Sequence, residues 1–214
     1  MDQEDQEKLD KPLSDLIGWN CIQRRNLGFL YAIKNDYDLI ATIDDDNIPL
    51  SNWGTLCQDN DVRLYSTNNC EFFDALSVTK YKHLWHRGFP LQHINKKNDV
   101  SFTYKKNEGF DVYANLWNGD PDIDAICRMI YRPECNFDID FWYTTNQLTP
   151  FNSQNTILTN RALRNYFMFD KVGRMDDIYA SYLLQKKGFK VLFGPPTVYQ
   201  ERNEHNLTED MKKE

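Results

Sequence analysis

Residues 39–50 read LIATIDDDNIPL: an apolar run, three consecutive carboxylates, then Asn47 and Pro49. A short apolar run of this kind is expected as a buried strand, most readily one in a parallel sheet. Strand interiors disfavour Asp, and adjacent like charges repel, so Asp44, Asp45 and Asp46 mark the carboxyl end of that strand. In open α/β sheets ligands bind outside the carboxyl ends of the strands. A hard divalent cation, Mn²⁺ or Mg²⁺, takes oxygen ligands; it would relieve the repulsion and could bridge to a diphosphate. The plainer alternative is a solvated turn, and the apolar strand in front of the acids favours the ligand role over it. If extended geometry persists through the triplet, Asp44 and Asp46 face one side and Asp45 the other.

The rest of the chain can supply a core for such a strand. With 214 residues, 41% of them hydrophobic, it fits one globular domain. We place that domain at residues 13–206, between a flexible acidic lead at 1–12 and a polar tail at 207–214. The formal charge of −7 argues against general binding to nucleic acid, which needs an excess of Lys and Arg. Cys21, Cys57, Cys70, Cys127 and Cys135 form no CxxC pair, so free thiols in a reducing compartment are expected. No apolar run reaches the ~18 residues of a membrane span, and the polar start MDQEDQEKLD is no signal peptide. As the chain stands, these features fit a soluble, cytoplasmic protein. A Golgi-associated location applies if it is a fragment of a longer one.

Strands and helices are expected to alternate. Residues 14–34 fit a helix or helix pair weakly broken at Gly18. VRLYST reads as a strand, CEFFDALSV as a second strand or mixed segment, and HRGFPLQHI as a turn. NLWNGDPDIDAICRMIY reads as a strand end, a loop at Asn118–Asp120 and a helix with Pro121 near its first turn. QNTILTNRALRNYF suggests strand then helix. MDDIYASYLLQKKGF is an amphipathic helix ended by Gly188, and KVLFG is a strand stopped by Pro195–Pro196. The class is therefore α/β with a mixed or mostly parallel sheet.

Several polar residues could carry chemistry. Asp176 and Asp177 stand at a helix start, where they either cap and stabilise the dipole or act as a base or acceptor-hydroxyl ligand. Asp120, Asp122 and Asp124 form a third acidic set, at least one of them a cap. Asn152 and Gln154 are amides near a strand, able to bind sugar hydroxyls or backbone. Arg24 and Arg25 lie on the first helix, and Arg87 stands beside Gly88, which permits close backbone approach. Arginine forks suit phosphate or carboxylate; surface ion pairing is the better reading for at least one of Arg24 and Arg25. His205, in YQERNEH, could complete a metal site. No histidine pair has zinc-ligand spacing, and no GxxxxGK[ST] loop is present to receive a nucleoside triphosphate.

Together, RRNLGFLYAIKNDYDLIATIDDDNIP, HRGFPLQHI, NGDPDIDAICRM, TPFNSQNT and PPTVYQERNEHN resemble, in order, the STELLO-type glycosyltransferase-like proteins. More distantly, the acid triplet, RGFP and GRMDDIYAS resemble the reversibly glycosylated polypeptides, which include UDP-arabinopyranose mutases. The resemblance covers about residues 20–206. It implies a GT-A-like fold, a mixed sheet flanked by helices, and a metal-dependent transfer from a nucleotide-diphosphate sugar, UDP-sugar favoured, to a glycan or protein acceptor. By position, Asp44, Asp45 and Asp46 become a DxD-type motif holding the cation, Arg87 and Gly88 lie on the donor side, and Asp120, Asp122 and Asp124 belong to a sugar-facing loop. Asn152 and Gln154 contact donor or acceptor, and Asp177 lies near the reacting centre. Residues 1–23 do not read as a strand pair, which leaves open whether the first β–α–β unit of such a domain is lacking. Two other functions stay in play: a non-catalytic scaffold in a glycan-synthesis complex, and a UDP-sugar pyranose/furanose mutase. The mutase-like proteins carry an arginine shortly after RGFP, where this chain has LQHIN, so the mutase is the less favoured.

Overall fold

An eight-stranded mixed sheet organises the molecule. The structure, a computed structural model, describes residues 1–203 and 206–213. Its strands are β1 (Leu39–Ile43), β2 (Asn47–Pro49), β3 (Asp61–Thr67), β4 (Val100–Lys106), β5 (Val112–Gly119), β6 (Tyr143–Thr145), β7 (Asn155–Thr159) and β8 (Val191–Gln200). Its α-helices are α1 (Gln3–Leu9), α2 (Lys11–Ile17), α3 (Arg25–Lys34), α4 (Ala125–Ile130), α5 (Asn160–Leu163), α6 (Asp176–Lys186) and α7 (Leu207–Lys213). The strand order is β1-β7-β5-β8-β6-β3-β4, with β2 attached to β8. Among the described strands only β3–β6 and β5–β8 are parallel pairs. A central mixed sheet flanked by helices is compatible with a GT-A-like architecture. Among the described residues no helix is long and apolar enough to cross a membrane.

The middle of the sheet is covered on both faces, so β5, β7 and β8 are buried along most of their length rather than at alternate residues. Val112, Leu116, Leu158 and Phe193 from these strands are buried with Phe73, Tyr143, Phe151 and Leu184 in the main core. Helix α6 contributes one buried stripe, Ile178, Ala180, Ser181 and Leu184, as its amphipathic sequence requires.

Four expectations change. First, β1 is neither parallel nor deeply buried: it is an edge strand, antiparallel to β7, with Leu39 45% exposed. An apolar run does not reveal which neighbour it pairs with. Second, Pro195 and Pro196 do not stop the last strand. They lie at a register shift in which Asn115 pairs with Gly194 but Trp117 pairs with Val198; a bulge is where a strand tolerates residues without an N–H donor. There β8 also changes neighbour, from β6 before the prolines to β2 after them. Third, most of residues 1–12 are helical. Asp2 caps α1 and Asp10 caps α2, and Arg24 fastens both, donating to Gln6, Ser14 and Gly18 while stacking on Trp19. Fourth, Pro121 precedes α4 rather than entering its first turn, because Asp124 is the N-cap and accepts from Ile126 and Cys127 N–H.

Candidate active site

The end of β1 opens a cleft of about 270 Å³. Asp44 keeps the ladder's direction by donating its N–H to Gln154 O at 3.1 Å, but the chain then turns, with Asn47 N–H bonded to Asp44 O at 3.2 Å. Glu201 N–H closes on Asp46 O at 2.9 Å, tying this turn to the end of β8. The alternation expected of extended geometry is therefore lost, and all three carboxylates border the cleft.

Their surroundings differ. The Asp44 carboxylate is bound by Arg25, which also donates to Ser153 Oγ at 2.7 Å. Partial burial pushes the Asp44 carboxyl up, Arg25 opposing and the nearby Asp122 and Asp46 adding to it. Asp45 is exposed. Asp46 accepts from Gln200 Nε2 at 3.4 Å and from Asn47 Nδ2 at 3.3 Å. Asp44 is thus held by the scaffold, while Asp45 and Asp46 face the cleft with weaker commitments.

The cleft floor is built on Arg87. Its Nε donates to Asp122 Oδ2 at 3.0 Å, and its Nη1 and Nη2 donate to Asp177 Oδ1 and Oδ2 at 3.0 and 3.1 Å. All three side chains are at most 9% exposed. Burial alone would raise the Asp122 carboxyl, but Arg87 and then Arg202 outweigh it and hold it well below the usual carboxylate range. Burial likewise disfavours the Arg87 cation, and Asp122 and Asp177 overcome that and hold its pKa well above the ordinary value. Gly88 makes the arrangement possible. It has φ +82°, and a Cβ there would collide with Ile178 Cγ2, so the turn carrying Arg87 lies directly against α6. The close approach expected of this glycine is real, and it is made to a helix.

Asp177 also accepts from Ser153 N–H at 2.9 Å and Ser153 Oγ at 3.3 Å. Asp176, its neighbour, accepts from Gln23 Nε2 at 3.3 Å and from Asp177 N–H at 2.9 Å. Burial, reinforced by the charge of Asp177, raises the Asp176 carboxyl to about 6. A carboxyl poised there can accept a proton near neutral pH.

The residues singled out in the sequence divide accordingly. Asp44, Asp45, Asp46, Arg25, Arg87, Asp122, Gln154, Asp176 and Asp177 border one cleft. Gln154 latches it, donating to Asn47 Oδ1 at 3.1 Å and Gln200 Oε1 at 2.6 Å. Asn152 stands behind, donating to Asp122 Oδ2 at 2.8 Å. Gly88 and Asp124 border a neighbouring apolar groove, and Asp120 borders a different cavity. His205 lies outside the described residues. Ser153, Arg174 and Arg202 are further polar residues of the cleft lining, which the sequence does not single out. Arg174 and Arg202 lie inside the quoted GRMDD and YQERN segments, but an arginine in such a stretch carries no signal of its own.

Among the described residues no three His, Cys, Asp or Glu side chains converge as a ready cage for a metal ion. Mg²⁺ does not need one: it is commonly held by one or two carboxylates together with substrate phosphates and water. Asp45 and Asp46 offer hard oxygen donors of that kind, so the residues present fit a shared ion.

No known family model matches the chain. Over an alignment of 229 positions it is 25% identical to "Probable glycosyltransferase STELLO2" of Arabidopsis thaliana, covering 91% of this chain and 29% of that protein. The chain therefore spans less than a third of that relative's length. The likeness runs through nearly all of this chain.

Proposed function

We propose that this chain is a glycosyltransferase-like domain that moves a sugar from a nucleotide-diphosphate donor, a UDP-sugar, to a hydroxyl of a glycan or protein acceptor. One observation carries the reading: the acid triplet and the carboxyl raised to about 6, Asp176, border the same cleft. Chain-wide similarity to a protein named as a probable glycosyltransferase supports it.

In this reading the bond from the sugar's anomeric carbon to the diphosphate breaks, and a bond to the acceptor oxygen forms. Ionised Asp176 takes the acceptor's proton. Asp177 cannot easily do so, since Arg87 and Ser153 already occupy its oxygens; it orients its neighbour instead. Arg202 receives charge on the departing diphosphate. It is one side chain from the triplet, donating from Nη2 to Gln200 Oε1 at 3.1 Å while Gln200 donates to Asp46. Asp45 and Asp46 would hold a Mn²⁺ or Mg²⁺ ion, which when bound supplies Lewis-acid stabilisation of the leaving diphosphate. Asp44, locked to Arg25, keeps the turn in place.

Calorimetric titration of a UDP-sugar with and without Mn²⁺ tests this. Binding with the metal, weakened in Asp46→Asn, is expected. Absence of nucleotide binding under every metal condition would remove the transferase reading from this chain and favour the scaffold.

A further inference from the structure

A second cavity, about 380 Å³, adjoins the cleft, and Arg202 borders both. Among the described residues its charged lining is Arg128, Arg132, Arg202 and one carboxylate, Asp120. Three guanidinium groups against one acid is a local reversal of sign in a chain of formal charge −7. Asp120 cannot balance all three. It is hydrogen-bonded by Arg128 and lies 3.3 Å from Arg202 Nε. The other acid near Arg202 among the described residues, Asp122, is 3.9 Å from its Nη2 and already serves Arg87 through both oxygens.

Arg202 is left under-compensated. Its side chain is only 9% exposed, and its Nε completes no hydrogen bond among the described residues. Burial, with crowding by Arg128 and Arg174, pushes its pKa down, a strain an added anion would relieve. Arg132 is exposed and has no ion pair among the described residues. The loop carrying this group is closed by two backbone bonds, Gly119 N–H to Cys135 O at 2.8 Å and Cys135 N–H to Gly119 O at 2.7 Å. Asp120, Arg128 and Arg132 are thereby held together before any ligand arrives. Guanidinium groups assembled this way match the oxygens of a carboxylate or phosphate.

We propose that this cavity is an oxyanion subsite for the acceptor, taking a carboxylate or phosphate group attached to the molecule that receives the sugar. The donor's diphosphate is placed on the Gln200 side of Arg202, where Nη2 and Gln200 lead to Asp46; on the side of the second cavity Asp120 meets Nε at 3.3 Å through its carboxylate and Nη2 at 3.5 Å through its backbone oxygen. Naming the acceptor as the occupant rests on the sugar-transfer reading, whereas the anion site itself does not.

The test titrates inorganic phosphate into the full chain in chelator-treated buffer, by calorimetry and thermal shift, for wild type and Arg132→Gln. Phosphate should bind wild type and bind the variant roughly tenfold more weakly, as loss of a charge-assisted contact implies. The unliganded melting temperature should not change, since Arg132 is exposed. No phosphate binding, or equal binding by the variant, overturns the site. Phosphate displaced by UDP with Mn²⁺ would assign the anion to the donor and overturn the acceptor role. Glucuronate and glucose 6-phosphate, each against glucose, then separate carboxylate from phosphate. At least one should bind more tightly than glucose and lose that advantage in Arg132→Gln; if neither does, the acceptor assignment fails. Failure of UDP binding would sink the transferase reading without touching the phosphate result.

Discussion

Asp176 and Asp177 are consecutive in the first turn of α6, yet one is saturated and the other is not. Asp177 takes hydrogen bonds from both terminal nitrogens of Arg87 and from Ser153 N–H and Oγ, whereas Asp176 takes one from Gln23 and one from the next backbone N–H. The same helix start thus provides one carboxylate committed to four hydrogen bonds and one, Asp176, raised to about 6.

Asp176→Asn should separate the two. In the folded protein this carboxyl titrates at about 6, above its ordinary 3.8. The fold therefore holds a proton over a range where the unfolded chain has released it, and stability falls as pH rises from about 4 to about 6. The variant lacks that loss. It should match wild type near pH 4 and exceed it above pH 6.5, by on the order of 2 kcal/mol, while transfer activity disappears. Urea denaturation across pH 4–8 measures this; a variant less stable than wild type at pH 7 would contradict it.

Arg87→Met should be costly. It leaves Asp122 and Asp177 buried and facing each other without their shared cation. Breaking one partner out of a buried ionic network typically costs about 3–5 kcal/mol. Chemical denaturation should show the loss, and it should be larger at pH 7 than at pH 4, where protonation can relieve the acids.

Gly88→Ala combines an unfavourable positive φ with a collision against Ile178, and a loss of about 2 kcal/mol is expected. Ile178→Val keeps Cγ2 and should not rescue it. Ile178→Ala removes Cγ2 and should recover part of the loss in a double-mutant cycle. Additive effects would show that the collision is not what constrains the turn.

Asp45→Asn and Asp46→Asn should leave the melting temperature within about 1 °C of wild type, because the side chains lie at an exposed or half-exposed turn. Both should weaken Mn²⁺-dependent nucleotide binding in calorimetry. Asp44→Asn differs: it should lower stability measurably, because it strips Arg25 of its carboxylate.

Much of this was legible in the sequence because it depends on near neighbours. The helix over MDDIYASYLLQK follows from its apolar spacing, and the acid triplet from an unmistakable run of like charge. Pairing partners were not legible. LIATI looks buried and parallel until β7 is seen beside it, and VLFGPPTVYQ looks broken until the shift opposite Asn115 shows where the prolines fit. VSFTYKK carries a period-2 pattern, Val100, Phe102 and Tyr104 alternating with Ser101, Thr103 and Lys105, that the expectations above leave unused, and YTT at three residues is too short to show one. Among site residues, the roles of Asp122 and Asp177 depend on Arg87, and those distances exist only in three dimensions.

The Arg87 fork also limits the order in which the chain can be assembled. Its two acids lie 35 and 90 positions further along, so no local segment can preform the floor of the cleft. Closing such loops costs entropy before any contact compensates for it. Until both the β5–α4 loop and α6 arrive, the guanidinium is better left in water than dried beside a single carboxylate. The floor is therefore an all-or-none construction, with no half-built version in which that charge is both dry and balanced.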